Sequence, residues 1–390
     1  MQNSPRLKLP YLAPQQSQKH VTVNEGLRRL DALAQLTVLS ASTLAEPAAP
    51  VEGDAYILPA DAAGAAWSGL SPNAIAVFQD GAWTGIEPGA GLRAHVADEG
   101  AFRFFDGACW RGEQSGDNLL INPEFAVNQR VFAGGALAAG VYGYDRWRGA
   151  AGGAVIARDG AGLVTLSSGG VIQTIEPGLF ATGDFAGRAV TASLAGHSGA
   201  NLTITIDGVA KTLSTATQCA TFAVASGGPV AVEISAAAGA ASFRSVKIEL
   251  GEAASAHKRR LAPTELALCQ RYYSKSFGSA MTPVDGASAN TQWGAITAAA
   301  AGYGATGNIY LPQPMRTAPA ITFYRLSLGT QNGRWNYVKA GAWYDDVTAT
   351  VAVGVTETQF RVRVDAAGSN PFAAQSSYSV GGDWTASAEF

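Results

Sequence analysis

Six short runs between residues 154 and 250 alternate apolar and polar side chains with a period of two, and that alternation limits the fold more than any other feature. They are Ala154–Arg158, Leu163–Leu166, Val190–Leu194, Leu202–Ile206, Val230–Ile234 and Val246–Leu250. A period of two turns one face of a strand inward and the other to solvent or to a second layer. Glycine separates the runs, and 46 of the 390 residues are Gly, which is what tight turns between short strands require. Residues 118–250 are therefore expected to form a jelly-roll-like β-sandwich.

Four further segments surround it, and the expected fold class is mainly β. Residues 1–50 open with the Pro-punctuated stretch Leu9-Pro10-Tyr11-Leu12-Ala13-Pro14, a strap better suited to lying across another protein than to forming a core. A helix follows. Thr22 and Glu25 have capping-box spacing, and Val23, Leu27, Leu30, Ala34 and Thr37 repeat at the 4-3 spacing of a coiled-coil seam, with Leu33 and Leu36 beside it. So short a helix is unstable alone in water. Its leucines need a cover, either a core of the same chain or the same helix of other subunits.

Residues 51–117 hold two echoing hairpins, Ile75–Trp83 and Phe102–Trp110, each a strand, an Asp-Gly turn and a Trp shortly after. Residues 251–277 read as a connection with a short helix over 264–273 following Pro263. Residues 278–390 return to strands as a β-rich knob dense in aromatic residues, and 383–390 read as a strand tied into a sheet.

Function is narrowed first by exclusion. A net charge of −3 and a pI near 5.9 supply no basic field, so nucleic acid is not an expected partner. No apolar run reaches the length of a membrane span and the first ten residues hold no apolar signal core, so no membrane insertion and assembly in the bacterial cytoplasm are expected. Cys109, Cys219 and Cys269 are odd in number and form no CxxC pair. They read as three small buried hydrophobes rather than a disulfide framework or a zinc site.

The four histidines make no HExxH pair, and no GxSxG elbow, P-loop or GxGxxG turn is present. No catalytic residue, metal or cofactor is expected. Glycoside cleavage needs only two carboxylates, for which Asp345, Asp346 and Asp365 are candidates, although such aspartates are more often turn formers. Recognition without chemistry remains. Sugars stack C–H faces on aromatic rings and pair hydroxyls with amides and carboxylates. Trp335, Asn336, Tyr337, Trp343, Tyr344, Asp345 and Asp346 offer that mixture in the knob, and Tyr142, Tyr144, Asp145 and Trp147 offer it in the sandwich.

The stretch from Leu9 to Asp31, followed by Gly53-Asp54-Ala55-Tyr56 and Gly81-Ala82-Trp83, resembles the hallmark of an uncharacterised domain family of phage-like particles, found in prophages and gene transfer agents of alphaproteobacteria. The rest is similar to modules of tail-fibre proteins. Asn122-Pro123-Glu124-Phe125 with Tyr144-Asp145-Arg146-Trp147 resembles a jelly-roll opening, although Asn-Gly-Asp-Phe is the commoner form. Lys247–Gly251 and Glu265–Tyr273 resemble its close, and Pro314–Pro319 with Ala386–Phe390 resemble a fibre knob.

The resemblance implies a virion appendage, a tail fibre or head spike, that is homo-oligomeric and commonly a homotrimer. Its N-terminus would dock on a baseplate, tail or capsid-vertex protein, and its distal modules would meet host capsule or envelope polysaccharide. It implies no catalytic residues. The alternatives are a capsule-depolymerising hydrolase or lyase and a purely structural particle protein.

Overall fold

A computed structural model describes the chain except for residues 1–2, 13–18, 113–115, 180–182, 237, 288–291, 301, 327–332, 345–346 and 367–371. In its first segment the buried carboxylate of Asp31 gathers donors: the Ser4 hydroxyl and the Leu7 N–H, both at 2.5 Å, and the Arg6 N–H at 3.1 Å. Leu12 and Asn24 exchange two more hydrogen bonds. Residues 3–12 thus fold back along helix α1 (Lys19–Leu33), where the sequence reading lays them across another protein. A desolvated carboxylate must be paired, and the irregular backbone before the helix has free N–H groups to offer. Because α1 begins at Lys19, Thr22 and Glu25 are interior positions and form no capping box.

The division expected at residue 50 falls inside a single core. Ala32, Leu36 and Val38 pack with Ile57, Ile75, Val77, Val96, Phe105 and Trp110. The strands are β1 (Thr37–Val38), β2 (Ala55–Ile57), β3 (Ile75–Gln79), β4 (Ala82–Ile86), β5 (Arg93–Val96), β6 (Ala101–Phe105) and β7 (Trp110–Gly112). They form two sheets, ordered β2-β3-β4 and β1-β5-β6-β7. Asp80 and Gly81 both have positive φ, 54° and 76°, and Gln79 lies opposite Ala82, the two-residue hairpin that Asp-Gly favours. The second loop is longer, since Phe105 pairs with Trp110 and Asp106 Oδ1 accepts the N–H groups of Ala108 and Cys109 at 2.8 Å each.

The sandwich comprises β8 (Gly135–Leu137), β9 (Arg148–Arg158), β10 (Val164–Ile175), β11 (Arg188–Ala195), β12 (Ser198–Gly199), β13 (Leu202–Ile206), β14 (Val209–Leu213), β15 (Cys219–Val224), β16 (Val230–Ala236), β17 (Ala241–Phe243) and β18 (Ser245–Leu250). An eight-stranded sheet follows the order β12-β17-β10-β16-β13-β14, with β9 and β8 branching from β10, and packs on the three-stranded sheet β15-β11-β18. Leu166, Val171, Ile204, Val232 and Ile234 meet Val190, Phe222 and Ile248 in the core between them.

The far face of the small sheet is polar yet buried, through Thr191, Ser193, Lys247 and Glu249. Residues 252–258 cover it. There β19 (Ala254–Ser255) pairs in parallel with β7 and joins the hairpin sheet to the sandwich. Lys247 and Glu249 form an ion pair at 3.0 Å, and both bond Ser255.

His257 meets Ser193 Oγ at 3.1 Å in the same seam. Burial, and then the positive charges of Arg111 and Lys247, depress its pKa to about 4, against a smaller opposing effect of Asp106. The folded seam therefore takes its proton later than the unfolded chain does, and stability should fall as pH drops from 6.5 towards 4. We expect His257→Asn to lose less than the wild type over that interval, read as the urea midpoint at pH 7 and pH 4.5.

Helix α2 (Ala262–Gln270) carries Pro263 in its first turn, where no N–H is missed. It ends before Tyr272 and Tyr273, which the expected helix had included, and Tyr273 opens β20 (Tyr273–Lys275), already part of the knob. The remaining strands are β21 (Gln292–Ala300), β22 (Tyr303–Ala305), β23 (Ile309–Tyr310), β24 (Ala320–Tyr324), β25 (Asn336–Lys339), β26 (Ala342–Tyr344), β27 (Val347–Val353), β28 (Gln359–Ala366) and β29 (Ser377–Ser387). The sheet order is β23-β28-β22-β21-β29-β25-β26, with β27 beside β28. β29 pairs with β21 and β25 up to Gly382, then with β24 and β20 from Asp383 onward.

Candidate functional site

The structure removes Tyr144, Asp145 and Trp147 of the sandwich candidates from solvent and leaves Tyr142 half-buried. Trp147 is fully buried, stacked on Phe125 with ring centroids 4.6 Å apart, and donates to the Asn122 carbonyl at 2.8 Å. Tyr144 is buried too, and its hydroxyl accepts the Arg158 N–H at 2.9 Å. Asp145 accepts two bonds from Gln129, at 2.8 and 2.5 Å, and pairs with Arg130 at 3.6 Å. Burial outweighs those partners and raises its pKa.

These residues hold the joint between sandwich and knob. Buried Arg146 pairs with Glu389, donates to the Thr174 carbonyl at 2.8 Å and lies 3.5 Å over the Tyr272 ring. Arg130 lies 3.7 Å over Tyr273 and reaches Glu389 at 3.3 Å. Half-buried Tyr142 donates to the Phe390 carbonyl at 3.2 Å. Arg316 donates to the carbonyls of Ala388 and Glu389 at 2.8 and 3.0 Å. Of the motifs that resemble fibre modules, Tyr144–Trp147, Pro314–Pro319 and Ala386–Phe390 are thus parts of one interlock.

In the knob, alternation divides the aromatic candidates between two faces. Trp335, Asn336 and Tyr337 are buried, Trp335 donating to the Asp383 carbonyl at 3.1 Å. Half-buried Tyr344 stacks on Tyr337 at 5.1 Å. Asp345 and Asp346 lie outside the described residues. Of that set Trp343 alone among the described residues faces solvent, with 58% of its surface exposed.

Trp343 has a partner that the sequence reading missed. Trp293 of β21 is 43% exposed and meets it edge to face, centroids 5.1 Å apart. Gly381 makes this possible: it lies opposite Trp293 in the ladder, and a Cβ there would come within 2.8 Å of the indole. The signal was present in Trp293-Gly294-Ala295-Ile296-Thr297-Ala298, because if Ile296 and Ala298 point inward then Trp293, Ala295 and Thr297 must point out.

Rows of paired residues run from this indole pair across the open sheet face. Ala295 pairs with Ser379, Ser379 with Val338, and Val338 with Trp343. Next to that row Ser377, Thr297, Ala305 and Arg363 are successive partners. Asp365 lies beside Arg363 and accepts from its guanidinium at 2.8 and 3.0 Å, while Arg363 also lies 4.9 Å from the Tyr303 ring centroid. From β28 to β26 the face crosses about 24 Å at ordinary strand spacing. It is a broad shelf of small and hydroxyl side chains with aromatic rings at both ends.

The seam expected on α1 is divided as well. Val23 and Leu30 are exposed, Leu27, Leu33 and Ala34 half-buried, and Leu36 buried in the core. The helix turns Asp31 and Ala32 inward, while Val23 and Leu30 look outward with Leu27 half-buried between them.

Comparison with known proteins places part of the chain. Residues 23–111 match the family described as "Protein of unknown function (DUF2793)", which coincides with most of α1 and the hairpin sheets. No curated protein matches the chain. Among solved structures, discoidin II of Dictyostelium discoideum is similar at 13% identity, covering 58% of this chain and 76% of that one, with a TM-score of 0.17. The N-terminal CBM22-1-CBM22-2 tandem domain of Paenibacillus barcinonensis Xyn10C is similar at 11% identity, covering 72% and 92%, with a TM-score of 0.22. Scores of this size establish no shared fold, and the functions of those proteins do not transfer here.

Proposed function

We propose that the chain is the subunit of a phage-like particle appendage, a tail fibre or head spike, that attaches the particle to bacterial capsule or envelope polysaccharide without cutting it. The observation that carries this reading is the exposed Trp293–Trp343 pair at the edge of a hydroxyl-rich sheet face. Indole faces stack on sugar C–H surfaces, and the Ser377, Ser379 and Thr297 hydroxyls beside them can exchange hydrogen bonds with a glycan. Asp365 is engaged by Arg363, which favours binding over two-carboxylate hydrolysis. The outward seam of α1 supports assembly into a homotrimer, with the N-terminal module towards the particle. Several weak shelves acting together then give firm attachment.

The test uses the full chain on purified host polysaccharide, with light scattering to report its oligomeric state. Binding should weaken about tenfold in Trp293→Ala and in Trp343→Ala, the equivalent of one lost stacking contact, and no reducing ends should appear. Release of reducing ends would establish a depolymerase instead. Absence of binding to host cells and polysaccharide would leave a structural particle protein.

A further inference from the structure

Two cysteines from different modules meet under the hairpin sheet. Cys109 directly precedes β7, and Cys219 begins β15. Their surroundings are knitted together: Arg111 of β7 pairs with Ala254 of β19, and Thr221 of β15 donates to the Glu252 carbonyl at 3.2 Å. Cys219 stands opposite Ser193, whose hydroxyl meets His257. The two thiols are close enough to influence each other's ionisation.

Their exposure differs in a useful way. Cys109 is wholly buried, while Cys219 is partly exposed and borders a cleft of about 660 Å³ shared with Asp61, Arg103, Trp110 and Lys211. The neighbouring Cys109 thiol, and then the Arg111 guanidinium, lower the Cys219 pKa against the opposing effect of burial. The same contact, reinforced by burial, pushes Cys109 up. Such a thiol pair has one member suited to attack and one suited to resolve.

We infer that Cys109 and Cys219 close to a disulfide that staples the hairpin module to the sandwich, with a small-molecule disulfide of the glutathione type as oxidant. The Cys219 thiolate attacks one sulfur of that oxidant, forms a mixed disulfide and expels a small thiolate. Cys109 then gives up its proton to solvent and attacks the Cys219 sulfur, which expels the second small thiolate. Two protein thiols are oxidised by two electrons, and one small disulfide becomes two thiols. Cys269 lies apart, packed with Ile121 and Tyr272, and takes no part. The odd cysteine count, which in the sequence spoke against a disulfide framework, is one pair and one bystander.

The experiment reduces the full-length protein, removes the reductant, adds oxidised glutathione, and counts free thiols after denaturation. The count should fall from three to one, and mapping should join the Cys109 and Cys219 peptides within one chain. Cys269→Ser should fall from two thiols to none, and Cys109→Ser should stop as a glutathione adduct on Cys219. Three persisting thiols in the wild type, a bridge through Cys269, or a bridge only between chains would each overturn the inference. Wild-type peptide mapping decides the matter even if Cys109→Ser does not fold.

Discussion

Replacing Arg146 with methionine is expected to remove about 3 kcal/mol of stability, the scale for deleting one partner of a buried ion pair. Methionine keeps much of the side-chain volume, so the loss is electrostatic and not a cavity effect. It leaves Glu389, whose side chain is only 5% exposed, with Arg130 at 3.3 Å as its remaining cation. It also strips the nearer of two cations from the Tyr272 ring and the donor from the Thr174 carbonyl. The double variant Arg146→Met with Glu389→Leu should recover part of that loss, because an apolar pair of similar shape carries no desolvated charge. Urea midpoints of the four proteins in that cycle give the comparison. Equal destabilisation by the single and double variants would refute a charge-based joint.

The other large effect is expected at Trp335. Its removal to alanine should cost about 3–5 kcal/mol, as for other fully buried aromatic residues. The two glycines of β29 then provide an internal contrast. A Cβ on Gly382 would lie 2.1 Å from Trp335 Cδ1, and the indole, buried and bonded to Asp383, has nowhere to move. Gly382→Ala should therefore cost about 1–3 kcal/mol through overpacking. A Cβ on Gly381 would meet Trp293 at 2.8 Å, but that ring is on the surface and can swing away. Gly381→Ala should leave the urea midpoint almost unchanged while weakening polysaccharide binding as far as Trp293→Ala does. Equal stability losses at the two positions would contradict the placement of the rings on opposite faces.

The sandwich was legible because its strands carry clean alternation, as in Leu202–Ile206 and Val230–Ile234, and one period-two pattern has one solution. Asp80-Gly81 was legible for a similar reason, since few residue pairs accept two positive φ angles. The candidate site was not, and the difficulty was one of parity. Counting aromatic residues in Trp335–Tyr337 and Trp343–Tyr344 says nothing about which face each ring takes. A neighbouring strand must fix the phase, and Trp293 became part of the site only through its ladder with Gly381. The Tyr144–Trp147 motif failed differently. Its polar atoms are matched by groups far along the chain, such as Thr174 and Glu389, and no local spacing foretells such partners.

β29 pairs along its whole length, first with β21 and β25 and then with β24 and β20, and runs on into the residues that interlock with the sandwich. Tension applied to the Trp293 shelf is therefore carried lengthwise along one covalent strand to the Arg146 clasp. Rupture under load would require shearing whole ladders on both sides of that strand, a stiffer route than peeling an edge hairpin, so a tug on the shelf is delivered to the sandwich before the knob itself gives way.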